Sequence, residues 1–300
     1  MSKRSYLQRY MLIIKRLQKS NATFDDISDY LINGLASGDS FIESKRTFQR
    51  DVEDIRSLFN IDIQFDFRRK VYFIEDDGQE DLNSRLLEAF DTFNALNMAE
   101  NVSQFVLFEK RKPRGTEHFP ILLQAIKGHH LVSFTYFKFE MEEFTERFAE
   151  PYALKEFKGR WYLIAKDAKD NKIKTFGLDR ITDVEISKQK YKPEPGFEAT
   201  LIFKDCFGII NDEDMEAEEI LLSFTRFQGQ YIKSYPLHES QETLLENDNE
   251  IRIRLFVKPI WDLQMELLSY GEAVKIISPE DLKEAMIETY HNSLKIYKLG

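Results

Sequence analysis

Residues 44–55 read Ser-Lys-Arg-Thr-Phe-Gln-Arg-Asp-Val-Glu-Asp-Ile, and this stretch decides the fold of the first part of the chain. Its apolar side chains recur at i, i+4 and i+7, at Phe48, Val52 and Ile55. That spacing places them on one side of a helix over residues 45–58. Ser44 precedes the pattern, where a hydroxyl accepts a backbone N–H and caps the first turn. The opposite side carries Lys45, Arg46, Gln49 and Arg50.

Two further helices are predicted before this one. Residues 4–19 carry apolar side chains at helical spacing, namely Leu7, Tyr10, Met11, Ile14 and Leu17. We expect the basic residues of that helix to face outward. Thr23 and Asp26 stand three positions apart, as in a helix-capping signal, and Gly34 and Gly38 should end the second helix.

A hairpin with a basic tip is predicted after the third helix. Residues 61–65 alternate between apolar and polar, residues 71–74 are β-rich, and Arg-Arg-Lys lies between them. Three short helices and a two-stranded wing form a winged helix-turn-helix, whose third helix enters the major groove of DNA. The alternative is a solvated basic face on a small helical domain. The candidate DNA-binding residues are Lys45, Arg46, Thr47, Gln49, Arg50, Arg68, Arg69 and Lys70.

Residues 44–55 also resemble the S-x-R-T-x-x-R-D recognition-helix signature of DeoR-like winged-helix bacterial regulators. The resemblance implies that residues 1–76 form a DNA-binding domain. One departure is the stretch from Ile32 to Glu43, which is longer than the three or four residues usual between the two helices of the motif.

The charge of the chain is divided unevenly. Its 300 residues carry 42 Lys and Arg against 52 Asp and Glu, a formal net charge of −10. Residues 1–75 hold 13 basic and 11 acidic residues, a net of +2, so the remaining 225 residues carry −12. This balance argues against a general positive coat for nucleic acid or an anionic membrane. We expect duplex DNA to approach only the first domain.

Residues 77–116 are predicted to be a helical linker. Apolar residues between positions 82 and 106 indicate one long or two shorter helices, which either pair two subunits or pack within their own chain. A basic loop at residues 110–115 ends the linker.

The middle of the chain changes to β-structure. After a short helix at 119–127, five strands are predicted, separated by polar or glycine-containing turns as in a small barrel. Their expected ranges are 131–139, 145–154, 160–166, 172–178 and 182–187.

Residues 159–163, Gly-Arg-Trp-Tyr-Leu, contain the triplet that names the WYL domain. Residues 134–136, 150–154 and 176–181 agree with that family in order and spacing, so the chain resembles a WYL-domain transcriptional regulator. The resemblance implies that residues 117–192 form an Sm/SH3-like β-barrel, which senses single-stranded DNA or RNA or a nucleotide. The implied ligand-binding residues are Tyr136, Lys138, Arg147, Tyr162, Arg180 and His130.

Two positions in this domain leave the ligand chemistry open. Arg180 can neutralise a phosphate, or it can pair with Asp179 or Asp183 as a structural salt bridge. Gly177 stands where family members often carry a basic residue, which implies a different or weaker ligand.

Residues 198–300 are predicted to form a small α+β sandwich. Strands are expected at 219–224, 242–246, 251–257 and 273–277, with helices at 260–268 and from 279 to about 297. Residues 267–274 are similar to the C-terminal extension of WYL-domain regulators. This domain is expected to help dimerise the protein or to cover the ligand.

The sequence favours a regulator over an enzyme. It carries no hydrolase elbow, nucleotide-binding loop or zinc-protease motif, so no catalytic residues are predicted. Cys206 is the only cysteine and the five histidines have no metal-ligand spacing, so we expect no metal and no cofactor. No apolar run is long enough to cross a bilayer, which predicts a cytoplasmic protein without membrane contact.

The predicted fold class is multidomain α+β, with an N-terminal winged helix-turn-helix, a central Sm/SH3-like β-barrel and a C-terminal small α+β sandwich. The predicted function is a ligand-responsive transcriptional regulator that binds an inverted repeat in promoter DNA as a homodimer. The alternative is an accessory protein that binds single-stranded nucleic acid or a nucleotide without promoter recognition. Activation and repression are not distinguished.

Overall fold

A computed structural model describes residues 3–34, 44–75, 88, 89, 92, 114–193 and 196–298. The chain divides into two compact units between residues 109 and 110. The predicted linker helices, and the long stretch between the second and third helices, fall almost wholly outside the described residues.

The first unit contains three helices and a hairpin. Its elements are α1 (Lys3–Lys19), α2 (Phe24–Gly34), α3 (Lys45–Phe59), β1 (Ile63–Asp66) and β2 (Val71–Ile74). The two strands are antiparallel, and Ala22, between α1 and α2, forms a bridge to Tyr72 in β2. The predicted helices and hairpin are confirmed. The capping signal is confirmed as well, because Thr23 and Asp26 bond to each other's backbone N–H groups at 2.9 and 3.2 Å.

The prediction that the basic residues of α1 face outward is wrong for Arg9. This side chain is buried with the apolar residues of the first unit, with 1% of its surface exposed. Arg9 stands next to Tyr10 in sequence and one turn before Ile13 on the helix, and both of these residues are also buried. Asp51 on α3 makes this burial possible, because its carboxylate pairs with the Arg9 guanidinium. The spacing of apolar residues in α1 alone cannot predict an ion pair with another helix.

The second unit begins with α4 (Phe119–Gly128) and a five-stranded sheet. The strands are β3 (His130–Lys138), β4 (Glu143–Phe157), β5 (Arg160–Asp167), β6 (Ile173–Gly177) and β7 (Ile181–Lys190). Every strand pair is antiparallel, in the order β6-β5-β4-β3-β7. The helix and all five predicted strands are confirmed.

The predicted barrel is not closed. Within residues 114–193, all of them described, the edge strands β6 and β7 do not pair with each other. A 3-10 turn at Leu178–Arg180 leads out of β6, and β7 then pairs with β3 at the far edge of the sheet. The domain is therefore an open antiparallel sheet, and closure cannot be read from strand patterns because it depends on how the sheet curves.

The rest of the second unit is a four-stranded sheet with helices. After the short α5 (Ala199–Ile202) the elements are β8 (Glu218–Thr225), α6 (Arg226–Ser234), β9 (Glu242–Glu246), β10 (Glu250–Val257), α7 (Trp261–Ser269), β11 (Val274–Ser278) and α8 (Glu280–Lys298). The sheet order is β11-β8-β10-β9, all antiparallel. This βαββαβ arrangement is ferredoxin-like. The α+β prediction for this region is confirmed.

Sequence analysis missed α6. Gly229 stands in the middle of this nine-residue helix, and glycine is unfavourable there. A Cβ atom at Gly229 would lie 2.6 Å from the Cβ of Ile251 on β10. Glycine is needed because α6 packs closely against the sheet. This packing depends on residues distant in sequence, so it cannot be predicted from the helix segment alone.

Candidate nucleic-acid interface and ligand cavity

Local interactions fix both ends of α3. The Ser44 hydroxyl accepts the backbone N–H of Thr47 at 3.2 Å, as the sequence predicted. At the other end Asn60 adopts the left-handed conformation, with φ of 56°, and its N–H bonds to the carbonyl of Arg56 at 3.0 Å. The two ends of α3 are thus set by hydrogen bonds within the chain.

The inner side of α3 combines an apolar stripe with one buried charge. Phe48 packs edge-on against Phe24 and Tyr72, with ring centroids 5.7 and 4.7 Å apart. Asp51 accepts two hydrogen bonds from the Arg9 guanidinium, at 2.8 and 2.5 Å. Burial raises the pKa of the Asp51 carboxyl, and the Arg9 hydrogen bonds oppose that rise. This bidentate pair ties α3 to α1.

The outer side of α3 presents the predicted DNA-binding residues to solvent. Lys45, Arg46, Gln49 and Arg50 are exposed, and Thr47 is half-buried. Within the described ranges, neither Arg46 nor Arg50 has an ion-pair or hydrogen-bond partner. Arginines with free guanidinium groups retain all of their donors for an incoming ligand.

The tip of the β1–β2 hairpin presents the other three predicted cations. Asp66 holds the turn by accepting the N–H groups of Arg68 and Arg69 at 2.8 and 3.0 Å. Lys70 closes the turn with a φ of 57°. All three basic side chains are exposed, and among the described residues only Arg69 of the three lies near a carboxylate, 3.9 Å from that of Asp66.

A cavity of about 360 Å³ lies against the five-stranded sheet in the second unit. Three predicted ligand residues line it, namely Tyr136, Lys138 and Arg147. The wall also contains Lys174 on β6 and residues between Ile202 and Asn211, which follow the sheet in sequence. Sequence analysis missed these wall residues because the segment around α5 carries no motif.

Arg147 is the most constrained cation of the cavity. Its side chain is 91% buried, and one terminal nitrogen donates to Asp167 at 2.8 Å. Asp167 also accepts from Lys174 at 2.8 Å. Burial would raise the pKa of Asp167, but the Lys174 hydrogen bond, the N–H of Lys169 and the nearby charges hold that pKa below its usual range. The Arg147 Nε is buried and has no hydrogen-bond partner among the described residues.

The Arg180 guanidinium contacts two aromatic rings. Its guanidinium carbon is 4.9 Å from the ring centre of Tyr136 and 4.8 Å from that of Phe139. Asp179 pairs instead with Arg160, at 3.5 Å. The described part of the chain therefore offers no support for the alternative in which Arg180 forms a structural salt bridge with Asp179 or Asp183.

Tyr162 and His130 do not line the cavity. Tyr162 is buried on β5, and this burial raises the pKa of its hydroxyl. The His130 Nδ1 lies 2.9 Å from the carbonyl oxygen of Ser187, so the ring fastens β3 to β7. The structure brings together Tyr136, Lys138, Arg147 and, through the Tyr136 ring, Arg180.

Gly177 lies close to the side chains of Asp179 and Arg180. A Cβ atom on Gly177 would lie 2.8 Å from the Asp179 carboxylate and 3.1 Å from the Arg180 Nε. Burial raises the pKa of Tyr136, whose ring centre lies 4.9 Å from the guanidinium carbon of Arg180. A basic side chain at 177 would require Arg180 and Asp179 to move.

The described residues contain no group of three or more metal-ligating side chains that could hold an ion. Among them there is also no helix that is both long and apolar enough to span a membrane. Cys206 is buried and reduced.

Comparison with known families identifies both parts of the second unit. Residues 117–186 match the WYL domain, and residues 216–293 match the WCX domain. The residues that match the WYL domain form most of the sheet that bears the cavity, and those that match the WCX domain form the ferredoxin-like sheet. No curated protein shows significant sequence similarity to the chain.

Two solved structures are similar to the chain at low identity. One is the proteasome accessory factor B/C (PafBC) of Arthrobacter aurescens, with 20% identity and a TM-score of 0.35 over 95% of this chain. This chain covers only 46% of that structure's length. The other is a CRISPR Cas-related protein, with 13% identity and a TM-score of 0.39, covering 98% of this chain and 84% of that one.

Proposed function

We propose that the protein is a ligand-responsive transcriptional regulator that binds duplex promoter DNA through its first unit. The observation that carries this proposal is the outer face of α3, where Arg46 and Arg50 are exposed and unpaired within the described residues. The WYL and WCX domains in the same chain support it.

The geometry of the first unit fits a winged helix-turn-helix. In that fold the third helix enters the major groove, where arginine donates two hydrogen bonds to guanine and glutamine exchanges two with adenine. Arg46, Gln49 and Arg50 supply these groups on α3. The cations at the hairpin tip would lie along phosphates, which fix the register without reading sequence.

The protein would bind an inverted repeat as a homodimer. A symmetric pair of recognition helices contacts two half-sites about one helical turn apart, so a twofold protein matches a palindromic site. The net +2 charge of residues 1–75 beside −12 in the rest supports approach of DNA through the first unit alone.

The WYL cavity would hold a nucleotide or a short single-stranded nucleic acid. Its volume is within the range of small-ligand sites. Lys138 and Arg147 would neutralise phosphate, and the unpartnered Arg147 Nε is an available donor. Tyr136, whose ring lies beside the Arg180 guanidinium, offers an aromatic side chain in the cavity wall for contact with a base.

Regulation would pass through the wall of the cavity. The cavity is lined by Ile202, Phe203, Ile209, Ile210 and Asn211, and this segment precedes the WCX domain in sequence. A ligand shifts a conformational equilibrium only by binding one state more tightly than another. A ligand that contacts this segment would bind more tightly when the segment is in one position than when it is in another, and so would shift the equilibrium between the two positions.

Selection of duplex fragments by the full-length chain tests the proposal. We expect enrichment of an inverted repeat, with affinity that falls steeply as salt rises. A single strand of the selected sequence should not displace the duplex at equal concentration. If the single strand displaces the duplex and no duplex sequence is enriched, the promoter-binding proposal is wrong. The result would then support an accessory protein that binds single-stranded nucleic acid.

A further inference from the structure

The outer face of α8, the last helix of the WCX domain, carries an apolar stripe. Its members are Ile287, Tyr290, Leu294 and Tyr297, which are 47, 37, 53 and 85% exposed. The inner face of the same helix buries Leu282 and Met286 in the domain core. The stripe repeats at intervals of three, four and three residues, which is the spacing of the seam of a coiled coil.

The second half of α8 extends beyond the body of its domain. From Tyr290 to Lys298 every residue is exposed except Ser293, which is half-buried. The Tyr290 hydroxyl donates to the carbonyl of Gly271 at 3.4 Å, close to where this extension starts. Most of the stability of a helix in a protein comes from packing of its apolar face, so these turns lack their usual support.

The two halves of α8 carry opposite charges. Glu284 and Glu288 lie in the first half of α8, and Lys295 and Lys298 lie in the second half. Across the described residues none of these four side chains has an ion-pair partner. Glu284 and Lys298 are two heptads apart, so they occupy the same position beside the seam.

From these observations we propose that α8 pairs antiparallel with α8 of a second copy of this chain. In this arrangement Ile287 of one copy packs against Tyr297 of the other, and Tyr290 packs against Leu294. Glu284 then faces Lys298 of the second copy, and the twofold axis repeats this contact. A parallel pair would instead place like ends together, which is unfavourable for both acidic and basic halves.

This inference deepens the proposed homodimer and rests on it only for its biological use. The pairing of α8 is measured without DNA. Failure of the pairing would therefore leave DNA recognition by α3 intact, and failure of DNA recognition would leave the pairing intact.

Sedimentation of the full-length chain tests the seam. We expect Leu294→Asp to raise the dimer dissociation constant at least about tenfold, because the substitution places a charge in an apolar contact. The matched control is Ile296→Asp, which changes an equally apolar residue, 75% exposed, on the same turn but off the seam. Equal dimerisation of both variants and the parent protein overturns the proposal, as does an equal loss in both.

Charge reversal tests the antiparallel orientation. Glu284→Lys and Lys298→Glu should each weaken the dimer several-fold, because each places like charges opposite one another. A mixture of the two variants should form a heterodimer as tightly as the parent protein, since both contacts are then between opposite charges. If mixing does not restore the dimer, the antiparallel arrangement is wrong.

Discussion

Two sets of cations in this chain differ in how the protein holds them. On α3, Arg46 and Arg50 project into solvent without a partner among the described residues. On the five-stranded sheet, Arg147 is buried against Asp167 and Arg180 contacts two aromatic rings. The first two side chains are free to change conformation, whereas neighbouring side chains hold the second two in place before any ligand binds.

The difference suits two kinds of recognition. Exposed cations lose little hydration before they meet a phosphate backbone, and their contacts are sensitive to salt. Fixed cations have already lost their rotamer freedom, so a ligand that fits them binds at a smaller entropic cost. The comparison therefore predicts duplex binding at α3 and selective binding of one small ligand at the sheet.

The largest effect is expected from the pair beneath α3. Asp51→Ala leaves the buried Arg9 charge without its partner, which typically destabilises a protein by about 3–5 kcal/mol. Faster hydrogen exchange across residues 3–34 and 44–75 would show the loss. The control is Glu53→Ala, an exposed acid on the same helix. If Asp51→Ala exchanges like this control, the pair does not position α3.

A double substitution sharpens this prediction. Replacing both partners, with Arg9→Met and Asp51→Leu, removes the buried charges together and should recover most of the lost protection. No recovery would mean that α3 depends on Asp51 for a reason other than its pairing with Arg9.

The next effect concerns the exposed set. Arg50→Ala and Arg46→Ala should each weaken binding to the selected duplex by about 1–3 kcal/mol and relax its sequence preference. Anisotropy titrations with a labelled duplex measure this loss. The matched control is Arg56→Ala, an arginine on the same helix that pairs with Asp62. Equal losses for all three variants would mean that α3 contributes only general charge.

A smaller effect is expected from the fixed set. Arg180→Ala should weaken binding of a labelled single-stranded tetranucleotide several-fold, in keeping with the roughly 0.5–2 kcal/mol of a cation–aromatic contact. Arg160→Ala is the control, because Arg160 lies nearby but is exposed and pairs with Asp179. Unchanged tetranucleotide binding by Arg180→Ala would remove this residue from the ligand site.

The smallest effect is expected at the hairpin tip. Lys70→Ala should weaken duplex binding evenly across sequences, because a phosphate contact carries no sequence information. The slope of the logarithm of affinity against the logarithm of salt concentration should fall by about 1. An unchanged slope would show that the tip does not touch DNA.

The sequence predicted what depends on local pattern. The Ser44 cap, the buried positions of Phe48 and Ile55, and the strands around the Trp-Tyr-Leu triplet are all confirmed. These features follow from spacing within one element, which a single sequence contains.

The remainder depends on contacts between distant residues. The pairing of Arg9 with Asp51 spans 42 positions, and the cavity wall around Asn211 comes from a segment without a motif. His130 has the chemistry of a ligand residue, but its ring bonds to Ser187 on a neighbouring strand. Residue type and spacing do not reveal which of several possible partners a side chain meets.

The central claim is that the exposed cations of α3 bind duplex DNA and that the cations on the five-stranded sheet bind the single-stranded ligand. Titration of two variants with two probes tests this claim most directly. The full-length chain, Arg50→Ala and Arg180→Ala would be titrated separately with the selected duplex and with the single-stranded tetranucleotide. We predict that Arg50→Ala loses affinity for the duplex alone and that Arg180→Ala loses affinity for the tetranucleotide alone. Parallel losses for both probes in either variant would contradict the account.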